Sequence, residues 1–438
     1  MKSDDPLLAA WEEILARKSD SPAIYGTSGG VLRTFAEIES RSRELEGEIS
    51  ERLHPIDIGN QPDWPSHLLA ALRRQVVALP LESSITPPQR ETALEICRAR
   101  EWDEPRPVLL KLTSGTTAAP RAIRFRSEQL LADCNQICDT MGIREDDLQF
   151  AVIPLSHSYG FSNLVTPLLV RGVRMVLSRD RMPRAVLDDL ARTGATVFPG
   201  MPVFYQAFCE MENPPPRPQL RLCISAGAPL PLEVAKKFRE KFGQTIHSFY
   251  GSSECGGICY DREARLEQAG FVGASMNGVK IQMLEPGAAA SRIRIQSAAA
   301  GDGYFPEPDL DKLGGGFFAP DDLLEKSDAG FRIVGRVSDV INVAGKKVNP
   351  AEVESEILRV EGVQAAVVFG RVSTLRNEEV VACVVAAPQV RETELLEFCR
   401  QRLSGWQVPK RIFFVDEIPA NERGKVSRRE LAQRFANK

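Results

Sequence analysis

The chain has 438 residues, 43% hydrophobic and 26% charged, enough for more than one core and ordinary for a globular protein. Its formal charge of −4, with Lys and Arg scattered rather than blocked, argues against nucleic acid or an anionic membrane and leaves a small molecule as the expected partner. No signal-peptide pattern opens the sequence and no apolar run is long enough to span a bilayer, while nine cysteines without a C-x-x-C pair predict reduced thiols in a cytoplasmic protein.

In chain order, Thr34-Phe-Ala-Glu37 is a capping box and predicts a helix through FAEIESRSRELEGEI. Strand-like and helix-like segments then alternate: VVALPLE, PVLLKL, a helix over Glu128 to Met141, LQFAVIPL, a helix near Asn163 to Val170, VRMVLS, and a helix over Arg184 to Arg192. The rhythm continues through ATVFPG, LRLCISA, a helix over Leu232 to Phe242 and TIHSFYG. Such alternation predicts crossover units: an α/β fold of mostly parallel sheet flanked by helices. Past Gly256 short β pieces (VKIQML, SRIRIQS, FRIVGR) predict a small β subdomain. The last hundred residues read helix (Asn349 to Val360), strand, strand, helix (Glu392 to Leu403), strand, an α+β set able to fold by itself. The boundary is placed at GRVSD, giving domains 1–336 and 337–438.

Four stretches carry candidate chemistry. Thr113-Ser-Gly-Thr-Thr117 ends a buried strand with hydroxyls and backbone N–H groups suited to phosphate oxygens, and Arg121 adds a cation; the stretch is not a Walker loop, and such a turn taken alone is more often structural than a nucleotide site. Phe249-Tyr-Gly-Ser-Ser-Glu254 combines an aromatic for a base, a glycine for close approach, hydroxyls for phosphate and a carboxylate for magnesium, or is a loop with a capping glutamate. Asp321-Asp322-Leu stands shortly before Gly335-Arg336, where a lone aspartate is commonly a turn residue. Asn421-Glu-Arg-Gly-Lys425 with Arg428 and Arg429 is a basic cluster near the C-terminus, commonly a solvated face. Four histidines without an H-x-x-x-H pair give a histidine metal cluster little support.

Taken in order, these stretches resemble the acyl-adenylate-forming superfamily of acyl-CoA synthetases, adenylation domains and luciferases, over nearly the whole chain. TSGTTAAPRA (Thr113 to Ala122) is similar to the family loop TSGTTG-x-PKG, and IPLSHSYGF (Ile153 to Phe161) to the segment that brings a histidine to the acyl pocket. SAGAPL (Ser225 to Leu230) resembles the adenine-side loop, FYGSSE the YG-x-TE motif, and PDDL the TGDL motif. GRVSDVINVAGKKVNPAEVE resembles the hinge, and IPANERGKVSRREL the terminal motif with a catalytic lysine.

The resemblance implies a large N-terminal domain with a small β subdomain, then a small mobile α+β domain. It implies an AMP-forming ligase that activates a fatty or aryl acid with ATP and Mg²⁺ and delivers the acyl group to coenzyme A. Loading of an acyl carrier protein and a degenerate, nucleotide-binding member are the alternatives. By the same resemblance Ser114, Gly115, Thr116 and Thr117, with Thr113 and Arg121, hold the β and γ phosphates; Ser253 lies near the α-phosphate and Glu254 holds the metal. Tyr250, Gly251, Gly227 and Ala228 border the adenine, while Asp322 and Arg336 take the ribose. Lys425 bridges the attacking carboxylate and the α-phosphate, and His157 lines the acyl side or is a satisfied core histidine. SHSYGFSN lacks the aspartate with which amino-acid adenylation domains hold an ammonium, so an α-amino acid is not the expected substrate. Departures from the family pattern are Ala118 and Ala122 for glycine, Arg121 for lysine, Ser338 at the hinge, and a shortened N-terminal region.

Overall fold

A computed structural model of the chain describes residues 3–98, 102, 105–113, 121–215, 218–265, 268–288, 290–373, 377–419 and 426–436. The capping box forms as the sequence predicts: Thr34 Oγ1 accepts from the Glu37 N–H at 3.2 Å and Glu37 Oε2 from the Thr34 N–H at 2.7 Å, starting the helix Phe35–Glu46. Leu232–Phe242 also begins and ends where its periodicity places it, closed by Gly243 in the left-handed region at φ 64°.

Contacts divide the chain into two units: Met1–Gln282 with Arg294–Ala319 and Ser327–Arg332, and Met283–Ile293 with Pro320–Lys326 and Ile333–Lys438. In the first unit six strands lie parallel in the order Pro22–Gly26, Arg174–Leu177, Leu148–Ala151, Val197–Gly200, Leu222–Ser225, Ile246–Ser252. Val31–Thr34 closes one side antiparallel, and Gly256–Tyr260 then Phe271–Ser275 extend the other. The central strands are fully buried, as expected of a sheet covered on both faces. Tyr205 seals one face: its hydroxyl donates to the Ile224 carbonyl at 2.9 Å, so the ring is buried without an orphaned donor.

A second sheet in the same unit runs Leu53–Ile56, Val77–Pro80, Leu109–Leu112, Ala122–Phe125, Gly303–Phe305, the first three parallel and the rest antiparallel. The strand leading to Thr113 therefore turns back on itself into Ala122–Phe125. The second unit carries its own sheet, Lys346–Val348, Ile341–Val343, Asn377–Ala386 and Val363–Ser373, with Arg411–Phe414 parallel to Asn377–Ala386. The expected α/β class, a large sheet-and-helix part and a smaller C-terminal part, is what the chain adopts.

Two local expectations shift. The strand LQFAVIPL stops at Ala151, because Asn60 takes over the backbone beyond it: its Nδ2 donates to the Ala151 and Ile153 carbonyls and its Oδ1 accepts from the Leu155 N–H. The helix placed near Asn163 begins earlier, at Ser158, passes through a π turn over Phe161–Val165 and continues as Thr166–Arg171.

Candidate active site

Three of the loops that bear candidate residues leave the carboxyl ends of parallel strands of the large sheet, which is where open α/β sheets place ligands. Leu148–Ala151 leads to His157, Leu222–Ser225 to Gly227 and Ala228, and Ile246–Ser252 to Ser253 and Glu254. Gly227 has φ 87°, a conformation side chains rarely adopt, and it and Ala228 are exposed at this edge. Tyr250 is buried, paired across the hairpin with Cys259, and Gly251 follows at a register shift, where a Cβ would stand 2.8 Å from the Gly256 carbonyl oxygen.

His157 sits at the start of the Ser158 helix, its Nδ1 accepting from the Tyr159 N–H at 3.2 Å. The turn before it is tight: a Cβ on Gly160 would lie 2.1 Å from the Pro154 carbonyl oxygen, so only glycine fits. Next to His157, the Ser158 hydroxyl donates to Ser253 Oγ at 2.9 Å, tying this segment to the turn with Glu254.

Thr113 and Arg121 form the neck of the proposed phosphate loop. The Thr113 N–H and hydroxyl both donate to the Arg121 carbonyl, at 2.8 and 3.0 Å. Ser114, Gly115, Thr116 and Thr117 lie outside the described residues, as does Lys425. The Arg121 guanidinium lies over the Tyr304 ring, 4.2 Å from its centroid, and the Tyr304 hydroxyl donates to Glu254 Oε1 at 3.1 Å. Burial, then the adjacent Glu254 charge and this hydrogen bond, push the Tyr304 hydroxyl well above the ordinary phenol range, so it remains a donor.

Tyr304 joins this cluster of candidate residues without having been singled out by the sequence. The only cue was an aromatic after glycine in GDGYF, which any β strand could contain. Its segment is held by Asp302, whose carboxylate accepts from Arg126 Nε and Nη2 at 2.8 and 3.0 Å and from Gln129 Nε2 at 2.7 Å; the Gly301 N–H donates to the Glu254 carbonyl at 2.9 Å. Thr113, Arg121, Ser253 and Glu254 are thus linked through Tyr304, Ser158 and Gly301 into one first-unit cluster, with His157 beside it.

Asp322 and Arg336 belong to the second unit, where Arg336 Nε donates to Asp322 Oδ1 at 2.8 Å. Asp322 is buried and Asp321 exposed, and the Asp321 carbonyl accepts from the Val337 N–H. Among the described residues no group of three or more His, Cys, Asp or Glu could hold a metal ion, and no helix is long and apolar enough to cross a membrane. All nine cysteines are free thiols.

Comparison with known proteins gives matches to the AMP-binding enzyme family over residues 98–291 and to the AMP-binding enzyme C-terminal domain over 352–425. A 3,4-dihydroxybenzoate–[aryl-carrier protein] ligase of Bacillus anthracis is 29% identical over 327 residues, 74% of this chain and 73% of the relative. A feruloyl-CoA synthase of Amycolatopsis is 28% identical over 344 residues, 75% of this chain and 70% of the relative. The ATP-bound structure of MatB from Rhodopseudomonas palustris has the same fold, with TM-score 0.85 at 21% identity over 98% of this chain and 99% of the other.

Proposed function

Because the chain belongs to the AMP-binding enzyme family, we propose that it is an ATP-dependent acid–thiol ligase acting on an aryl acid, with coenzyme A as acceptor. The acid's carboxylate attacks the α-phosphorus of ATP, expelling pyrophosphate, and the acceptor thiol then displaces AMP from the acyl adenylate. The observation that carries this reading is the linked cluster Arg121, Tyr304 and Glu254, which joins a cation, a neutral donor and a carboxylate at the neck of the Thr113 loop. In-line displacement at phosphorus depends on positioning and on charge placed where negative charge develops, and this cluster offers both.

The residues take the following parts. Thr113 and Arg121 fix the neck of the loop over 114–117 that wraps the β and γ phosphates, and Arg121 neutralises the leaving pyrophosphate from its seat on Tyr304. Ser253 faces the α-phosphate. Glu254, fixed through Oε1 by Tyr304, is the fitting protein ligand for Mg²⁺, since that ion takes one or two carboxylates and fills its shell with phosphate oxygens and water. When bound it supplies neutralisation of phosphate charge. Tyr250, Gly251, Gly227 and Ala228 border the adenine, and His157 stands on the acyl side. The ribose roles of Asp322 and Arg336 and the attack-bridging role of Lys425 rest on the sequence motifs.

An aryl acid is favoured by the two relatives whose names carry aryl acids, and the carrier-protein ligase among them supports a carrier protein as the alternative acceptor. The domain division at 336 and 337, and work in the cytoplasm with reduced thiols, belong to the same reading. The test is ATP–pyrophosphate exchange over aryl, fatty and hydroxy acids, followed by thioester formation with coenzyme A and with a carrier protein. Exchange driven by an aryl acid is expected, with coenzyme A as acceptor. A folded protein that binds ATP but exchanges with no acid is a nucleotide-binding member instead.

A further inference from the structure

Two charges lie deep beside the cluster and have no part in the chemistry above. Lys111, two residues before Thr113, is 5% exposed, with its ammonium 4.7 Å from the Phe125 ring centroid and 4.9 Å from that of Phe161. Asp133, on the helix Ser127–Met141, is 4% exposed. Burial pushes the Lys111 ammonium down and the Asp133 carboxyl up, and each charge opposes the other's shift; Lys111 also feels Cys255 and Glu254. A lone buried charge costs several kcal/mol, so the two charges need each other.

Asp133 also grips the backbone just past Glu254. Its Oδ1 accepts from the Gly257 N–H at 3.0 Å. Gly256, at φ 65°, lies so close that a Cβ there would fall 1.9 Å from Asp133 Oδ1. On the other side, the Ser252 hydroxyl accepts from the Cys255 N–H at 3.2 Å, so the turn with Ser253 and Glu254 is tied at both ends. The same helix face holds two further segments: Thr140 Oγ1 accepts from the Asn277 N–H, and Gln136 Oε1 from the Ser297 hydroxyl.

We propose that Asp133 is a positioning residue for the Ser253–Glu254 turn, acting through the Gly257 N–H and the close-packed Gly256, with Lys111 the buried opposite charge that offsets its own. Neither side chain touches substrate. The inference rests on the ligase reading for what Glu254 holds, so its test reads MgATP binding directly as well as exchange. Loss of exchange by the wild-type protein would count against the ligase reading alone.

Three variants separate positioning from folding. K111M/D133N removes both charges and keeps an amide oxygen for the Gly257 N–H; it is expected to fold and to bind MgATP with wild-type affinity. K111M/D133A also leaves no unpaired charge but removes the acceptor. It is expected to weaken MgATP about tenfold by calorimetry, the scale seen when an outer residue that orients a metal ligand is lost, with KM for the acid unchanged. G256A keeps the charges and displaces the turn, and is expected to weaken MgATP likewise. Wild-type affinity in folded K111M/D133A or in folded G256A overturns the proposal, as does equal weakening in K111M/D133N. If neither K111M/D133A nor G256A folds, the contact is a folding determinant and the positioning role is overturned.

Discussion

Tyr304 joins two roles that are easily confused. Its ring seats the Arg121 guanidinium and its hydroxyl orients Glu254, so removing only the oxygen separates them. Tyr304→Phe keeps the cation–ring contact, which needs only the aromatic face, and loses the hydrogen bond from a buried hydroxyl to the partly exposed Glu254 carboxylate. A loss of about 1 kcal/mol in binding corresponds to about a fivefold rise in KM for MgATP. Steady-state exchange kinetics are expected to show that rise with KM for the acid unchanged. An unaltered KM for MgATP means that the hydroxyl does not orient Glu254 for the nucleotide. No rule of motif or spacing singled out Tyr304, because it lies fifty residues from Glu254 and meets it through tertiary contacts, the Gly301 N–H on the Glu254 carbonyl and the pairing of Gly303–Phe305 with Ala122–Phe125. Thr113, Arg121, Ser253 and Glu254 could be singled out from the sequence because the chemistry proposed for them is local: small hydroxyls, a cation and an acid at strand ends.

At the scale of elements, the first-unit sheet is tied together at the amino ends of its strands by one carboxylate. Asp147, just before Leu148–Ala151, accepts from the Thr196 hydroxyl at 2.8 Å, from Arg221 Nε and Nη2 at 3.1 and 2.5 Å, and from the Arg144 N–H at 2.8 Å. Thr196 and Arg221 stand just before two neighbouring strands, so three strand starts are fixed to one side chain. Burial alone would raise its pKa, but the Arg221 hydrogen bond, with those of Arg144 and Thr196, outweighs it and holds the carboxyl below the usual range. A depressed folded pKa gives stability that is full above the unfolded value, about 3.9, and lost as pH falls through the folded one. Asp147→Asn is expected to lower stability at neutral pH by on the order of 2 kcal/mol and to flatten the acid fall below about pH 4. Thermal melts from pH 7 to pH 3 check both; a parallel fall in both proteins places the acid loss elsewhere. Element type was legible where periodicity was clear, as in Leu232–Phe242. Trp64–Arg73 was missed although Leu68, Leu69 and Leu72 share one face, because the segment is short, opens on Trp-Pro and is buried on nearly every side.

At the scale of the molecule, the proposed division at 336 and 337 rests on a change of rhythm in the sequence, from repeated strand–helix alternation to short strands and then an α+β set. The mixed course of the large part was not legible, since a strand run does not reveal whether its neighbour returns by hairpin or by crossover. The C-terminal set gives a test of independence. One face of its sheet packs Val368, Val380, Ala382 and Val384 against Val353 and Ile357 of Pro350–Ile357 and Leu395 and Cys399 of Glu392–Arg402. The other packs Phe369, Val381 and Cys383 against Leu431 and Phe435 at the C-terminal helix Arg428–Arg434. Arg428 pins that helix, its Nη2 donating to Glu354 Oε1 at 2.8 Å and its Nη1 to Asp339 at 2.6 Å. Among the described residues both clusters lie wholly between Ile341 and Phe435, so a fragment of residues 333–438 carries both, at about 100 residues a size that folds alone. That fragment is expected to give a mixed α/β far-ultraviolet circular dichroism spectrum and a single cooperative melt. A featureless melt would mean that Met283–Ile293 and Pro320–Lys326, which cluster with it in the full chain, are needed to close its core.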